Sequence, residues 1–284
     1  MNTVTRITPR GEDMLAFLNP FHIGIHLWQF RDLIGQLAWR EIISRYRGSF
    51  IGVWYSLVVP ILMLAIYTFV FSVIFKAKWG VDPEESRVVF AMALFMGLIT
   101  FTIFSEVVNS SPSLVLQNSI YVKKVIFPLE ILVLVRFLSV MAHSLISLGI
   151  LLVSLVLFRH IPATALLLPL VWLPLVLLTL GIAYFLASLG VFIRDLGVTV
   201  NIAVTVLFFL SPIFYPVRAV PEQFRIFCQL NPLAIFVEDS RRVVLWGQLP
   251  EWPVFAAGLV FSLIVFVLGF MWFMKSKKTF VDVV

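Results

Sequence analysis

The chain has 284 residues, 61% of them hydrophobic and only 13% charged, and its mean hydropathy is +1.04. Soluble globular domains sit near half apolar and a quarter charged, so they are excluded and a polytopic membrane protein is expected. The net charge of +6 fits an uneven spread of Lys and Arg about a membrane better than nucleic acid, and the single Cys228 excludes an internal disulfide or a cysteine metal cluster.

In chain order, residues 1–52 are fairly polar and show no secretory signal pattern, so insertion is expected to depend on the spans themselves. Within this segment, 25–47 predicts an amphipathic helix at the membrane surface. At about 100° per residue, Leu27, Phe30, Leu33, Ile34 and Leu37 share one arc. Ile42, Ile43 and Tyr46 drift to another arc, while Glu41 and Arg45 land on the first. Such a helix either bends or meets different neighbours along its length.

A span needs roughly 20 apolar residues to cross about 30 Å of hydrocarbon. Six stretches qualify, at about 53–75, 88–108, within 129–158, within 164–193, about 196–214 and about 253–274. The expected fold is therefore an all-α integral membrane protein, with a six-span domain over 53–274 and a tail over 275–284. An even count leaves both termini on one side. That side is the richer in Lys and Arg, with Arg40, Arg45 and Arg47 before the first span and Lys275, Lys277 and Lys278 after the last. Both termini are expected in the cytoplasm of a bacterium, with the spans in its inner membrane.

Two connections stand out. On the cytoplasmic side, 110–128 has turn chemistry at Ser111–Pro112, a short helical pattern, then Lys123, Lys124 and Phe127–Pro128. On the external side, 215–252 contains two amphipathic pieces too short or too charged to span, as expected of re-entrant half-helices in a protein-lined cavity. The two three-span halves show no matched internal repeat, which argues against an inverted-repeat transporter.

Catalytic motifs are missing. There is no GxxxxGK[ST], and no Gly is followed by Lys, so the chain holds no ATP in a P-loop. There is no HExxH or GxSxG, and His22, His26, His143 and His160 lack metal-ligand spacing. Glu222, Glu238, Asp239 and Glu251 read as a solvated face beside Arg241 and Arg242 rather than as an acid/base pair. Glu106 and Arg136, near cytoplasmic span ends, and Arg194–Asp195, as an ion pair or helix cap, read as structural. Only His143 is titratable in mid-span, so a proton pathway is not supported.

Trp54, Tyr55 and Trp79 fit interfacial belts. Tyr67, Phe69 and Phe71, with Phe208, Phe209, Phe214 and Tyr215, are denser than anchoring requires. Together with Trp54 and Tyr55 they are candidate channel aromatics, because ring faces stack on sugar C–H faces; packing against lipid remains the alternative.

"RDLIGQLAWREIISRYRGSFIGVWYSLVVPIL", "NSIYVKKVIFPLEIL", "FIRDLG", "LSPIFYP" and "LNPLAIFVEDSRRVVLWGQLP" occur in that order across roughly 28–255. Together they resemble the membrane subunits of ABC exporters for surface polysaccharides, most closely those for O-antigen. The resemblance implies two copies of the six-span subunit around one channel, paired with two copies of a separate ATPase that binds ATP and Mg. It places ATPase coupling near Ser113 to Lys124, with Asn118, Tyr121, Lys123 and Lys124 the foremost candidates. It makes the N-terminal helix a cytoplasmic gate whose Arg40, Arg45, Tyr46 and Arg47 lie near an entering lipid diphosphate, and it makes 215–252 an external gate. The expected partners are a second copy, the ATPase, membrane lipids and a lipid-linked polysaccharide, with no nucleic acid, metal or cofactor of the chain's own. Export of capsule or teichoic acid fits the same motifs. A membrane-embedded glycosyl- or phosphotransferase, or a passive channel, would need no ATPase.

Overall fold

The computed structural model describes residues 17–44, 54–74, 87–122 and 127–283, and among these every regular element is helical. Asn19 caps the first helix, α1 (Pro20–Trp28), by accepting the Phe21 N–H at 3.0 Å, and Pro20 takes the first turn, where a missing N–H loses nothing. A turn at Gln29–Phe30 leads into α2 (Arg31–Ser44). α3 (Trp54–Tyr67) continues as a π-helical stretch, Thr68–Ile74. α4 (Arg87–Gln117) is followed by the single turn α5 (Ser119–Val122), then α6 (Ile131–Phe158), α7 (Leu168–Phe192) and α8 (Leu196–Leu210). Two short helices, α9 (Arg225–Leu230) and α10 (Pro232–Arg241), precede α11 (Trp252–Ser276) and the terminal α12 (Phe280–Val283).

Four helical stretches are long and apolar enough to cross a membrane: Val88–Gln117, Ile131–Phe158, Ala163–Phe192 and Trp252–Val283. The apolar stretches Val58–Val70 and Leu196–Leu210 are shorter. α8, with 15 residues, covers only about 22 Å at 1.5 Å per residue. Among the described residues four helices are long enough to span, α8 is shorter, and α3 with its π-helical continuation runs unbroken over 54–74, close to the predicted first span.

α4 is the central helix: 78% of its apolar window is buried, against 22% for α6, whose far face is left to the surroundings. It packs against α6, α7, α8 and α10. The most extensively packed helix pair is α7 with α11, whose backbones meet at Gly181 and Gly269. A methyl group on Gly181 would stand 2.6 Å from the Phe266 backbone, and one on Gly269 would overlap the Gly181 carbonyl. Lipid supplies no hydrophobic drive between helices, so such backbone-to-backbone packing at small residues is what holds them.

Two local expectations are corrected. There is no turn at Ser111–Pro112, because α4 runs through Pro112 to Gln117. The Ser110 and Ser111 hydroxyls donate back to the carbonyls of Glu106 and Val107, and Gly190 of α7 lets that helix lie directly against the Pro112 carbonyl. Neighbouring helices of this kind make a proline tolerable inside a membrane helix. Arg194 and Asp195 form no ion pair among the described residues. Asp195 takes the N-cap position of α8 without a side-chain capping bond.

Candidate functional site

α2 lies along the start of α6. Ile34 and Ala38 bury against Ile131 and Val135, with Phe30, Leu33 and Leu37 packed around them, so the predicted apolar arc is the docking face. The break at Gln29–Phe30 gives α1 different neighbours, since its His26 ring meets Phe17 and Phe270. Phe21, Ile25, Trp28 and Trp39 point outward.

Past Ala38 the seam turns polar, which explains why Glu41 lands on an apolar arc. Arg136 of α6 meets Glu41 at 3.0 Å, donates from Nε to Ser110 Oγ at 2.9 Å, and stands 3.5 Å from Glu106. One guanidinium therefore ties α2, α4 and α6 together. One residue earlier on α2, Arg40 donates to the Tyr121 hydroxyl at 2.9 Å, and the Tyr121 ring stacks on Phe127 at 4.2 Å. Asn118 turns its amide back to the Leu114 carbonyl and closes the end of α4. Between these groups lies a cavity of about 620 Å³, with Arg40, Glu41, Ser113, Asn118, Tyr121 and Arg136 in its wall. The structure thus brings Arg40, Asn118 and Tyr121 together. Lys123, Lys124, Arg45, Tyr46 and Arg47 lie outside the described residues.

At the N-terminus of α6 sits a carboxylate that the sequence reading passed over. Glu130, 1% exposed, takes His26 of α1 at 2.8 Å and Lys277 at 3.0 Å, and its backbone carbonyl accepts the Tyr184 hydroxyl at 3.0 Å. Burial raises its pKa, but the His26 hydrogen bond and the Lys277 charge outweigh burial and hold it below the usual carboxylate value. The available signal was a lone Glu directly before a long apolar helix, since such a group needs partners.

The opposite end of the bundle is built around Arg241, which is fully buried. Its guanidinium donates to the carbonyls of Ala93 at 2.8 Å, Pro212 at 2.6 Å and Ile213 at 2.9 Å, with Glu238 at 3.5 Å. Gly97 makes room for it, because a methyl group there would overlap the guanidinium. Asn231 caps α10 by accepting the Leu233 N–H at 3.0 Å and donates to Ser211 at the same distance. "LSPIFYP" and "LNPLAIFVEDSRR" are thus two halves of one lock. The expected solvated face is corrected accordingly: Glu222 is exposed beside Arg225, whereas Asp239 and Arg241 are buried. The signal lay in helical spacing, since Leu233, Phe236, Val237, Ser240 and Arg241 share one face. Arg242 pairs with Glu251 across the loop. Burial pushes the Asp239 carboxyl up to about 6, against the opposing pull of the Glu251 backbone N–H and the Arg242 charge.

The aromatic candidates separate. Tyr67 and Phe208 both meet Phe214, at 6.1 and 5.0 Å, and Phe208 also meets Phe101 at 5.1 Å, a ring the sequence reading omitted. Tyr215 donates its hydroxyl to the Phe209 carbonyl at 3.0 Å. Phe69 and Phe209 point outward. The side chains of Trp54, Tyr55 and Phe71 lie outside what the structure describes.

The family model described as ABC-2 type transporter matches residues 32–245, three quarters of the chain. The chain belongs to this family. Among similar proteins is an O-antigen export system permease protein RfbA of Myxococcus xanthus, 25% identical over 228 residues, 79% of this chain and 85% of the relative. Two proteins of the same name from Klebsiella pneumoniae are each 24% identical over 254 residues, 89% of this chain and 95% of theirs. ABC-2 membership makes the chain a transport subunit and implies pairing with an ABC ATPase.

Proposed function

We propose that this chain is the permease subunit of an ATP-driven exporter, moving a lipid-linked O-antigen-type polysaccharide across the bacterial inner membrane through a homodimeric channel. In this reading α3 and α8 complete a six-span domain, both termini are cytoplasmic, α2 is the cytoplasmic gate, and α9 and α10 are re-entrant half-helices of an external gate. The three relatives named as O-antigen export permeases support the substrate class.

The observation that carries the reading is the bond between Arg40 and Tyr121. It joins the gate helix to the segment where an ATPase would dock, while Arg136 holds the same helix to α4 and α6. A pull on 110–128 is then transmitted to α2 without an intermediary. In the wall of the cavity Arg136 is paired with Glu41, so Arg40 is the cation offered to an anionic headgroup.

Arg40→Ala and Tyr121→Phe are expected to leave the ATPase bound and hydrolysing ATP while surface polysaccharide falls. Lys123→Glu with Lys124→Glu is expected to reduce recovery of the co-purified ATPase. Full recovery of the ATPase from the double variant contradicts the docking placement, and undiminished export by both single variants contradicts the gate coupling.

A further inference from the structure

We propose that Arg136 changes carboxylate partner when α2 moves, leaving Glu41 and closing on Glu106, so that the helix is released without stranding a half-buried charge. The inference rests on the reading of α2 as the cytoplasmic gate and adds the device that lets it open and reset.

Each guanidinium nitrogen of Arg136 has its own contact. Nη1 donates to Glu41 of α2 at 3.0 Å, Nε donates to Ser110 Oγ at 2.9 Å, and Nη2 stands 3.5 Å from Glu106. Ser110 and Glu106 both lie on α4, one turn apart, and the Ser110 hydroxyl donates to the Glu106 carbonyl. Two of the three contacts are therefore internal to the packed pair α4 and α6, and only the third crosses to α2. The Glu41 contact has full hydrogen-bond length, whereas the Glu106 contact is longer and has room to tighten. Arg136, Glu41 and Glu106 are 21%, 26% and 31% exposed. A guanidinium so placed is penalised when it loses its only carboxylate. With Glu106 in reach it never does, and Glu41 passes into water. Two carboxylates converging on one cation also repel each other, which keeps the hold on α2 below its full strength. Arg40, the next cation on α2, is engaged by the Tyr121 hydroxyl. Because Ile34 and Ala38 seat the first half of α2 on α6, the change of partner frees residues 41–44 first.

A helix end that is no longer held frays, so amide hydrogen exchange of residues 41–44 reports release. It is measured on the chain with its ATPase in nanodiscs, without ATP, against residues 34–38 as the internal reference. Glu106→Gln keeps the side-chain shape and removes the competing charge. It is expected to slow the exchange about two- to fivefold, and Glu41→Gln to hasten it by a similar factor, the scale of one partly exposed ion pair. A fixed structural tie would loosen in both variants. Exchange that quickens or stays unchanged in Glu106→Gln therefore overturns the proposal. In an Arg136→Gln background the effect of Glu106→Gln should vanish, and an effect of the same size there overturns it too. Should Arg136→Gln not fold, the opposite signs of the two single variants decide alone. Glu106→Gln is also expected to lower export while ATP hydrolysis continues. Opposite shifts in exchange with export undiminished uphold the change of partner and contradict the gate role of α2, so the two readings fail separately.

Discussion

Arg241 shows how much a single side chain can fasten. Its three carbonyl acceptors lie on α4 and on the turn after α8, at sequence separations of 148 and about 29 residues. Lysine keeps the charge but cannot present a planar fork. Arg241→Lys is expected to destabilise by about 3 kcal/mol, the scale of losing charge-assisted hydrogen bonds in a buried site, read as a lowered Tm in detergent. Gly97→Ala should mimic it by displacing the guanidinium. Asp239 gives the opposite sign. Its folded pKa, about 6, lies above the ordinary 3.8, so its stabilising contribution is complete below 3.8 and is lost as pH rises through 6. Asp239→Asn should therefore gain on the wild type by up to about 3 kcal/mol between pH 3.8 and 7, then hold level. A difference in Tm that does not change with pH contradicts this. Arg241 reads as part of a wet Glu-Asp-Ser-Arg-Arg surface until the helical face is traced, and Asp239, off that face, was not legible as buried at all.

Where whole helices meet, small residues decide the fit. Gly269→Val should break the α7–α11 crossing and destabilise by about 1–3 kcal/mol or more through overpacking, read as a lowered Tm, whereas Gly149→Ala, with nothing within 4 Å, should be neutral or slightly stabilising. Ala38→Trp is expected to lift α2 from α6 and raise protease cleavage within α2 while the long spans stay protected. The α2 docking face was legible because a 3.6-residue period survives in the sequence. The continuation of α4 through Pro112 was not, since a proline in a membrane helix is held by neighbours that the local sequence does not name. The tie of Arg136 to Glu41 and Ser110 was equally hidden, joining residues 95 and 26 positions apart. The four long spans followed directly from hydropathy. The short α8 did not separate from them, because apolar character alone does not fix where a helix ends.

For the whole molecule, the two ends of the bundle have different constructions. One end gathers α1, α2, the segment up to Glu130 and the tail at Lys277 around a few hydrogen bonds and ion pairs, an arrangement suited to being moved. The other is pinned by a buried arginine and the capped helix α10. Because Glu130 is held below the usual carboxylate value, its contribution is present above the ordinary 4.5 and lost as pH falls further, so acid should loosen α1 and the tail before the long spans. Faster hydrogen exchange in α1 on acidification checks this. Membership of the ABC-2 family implies an ABC ATPase as the partner that drives transport. The most direct test is the amount of polysaccharide reaching the surface of a host deleted for this chain, after the chain is restored with and without its ATPase. Export only when both are present is the predicted result; export by the chain without any ATPase, or none with both, would contradict it.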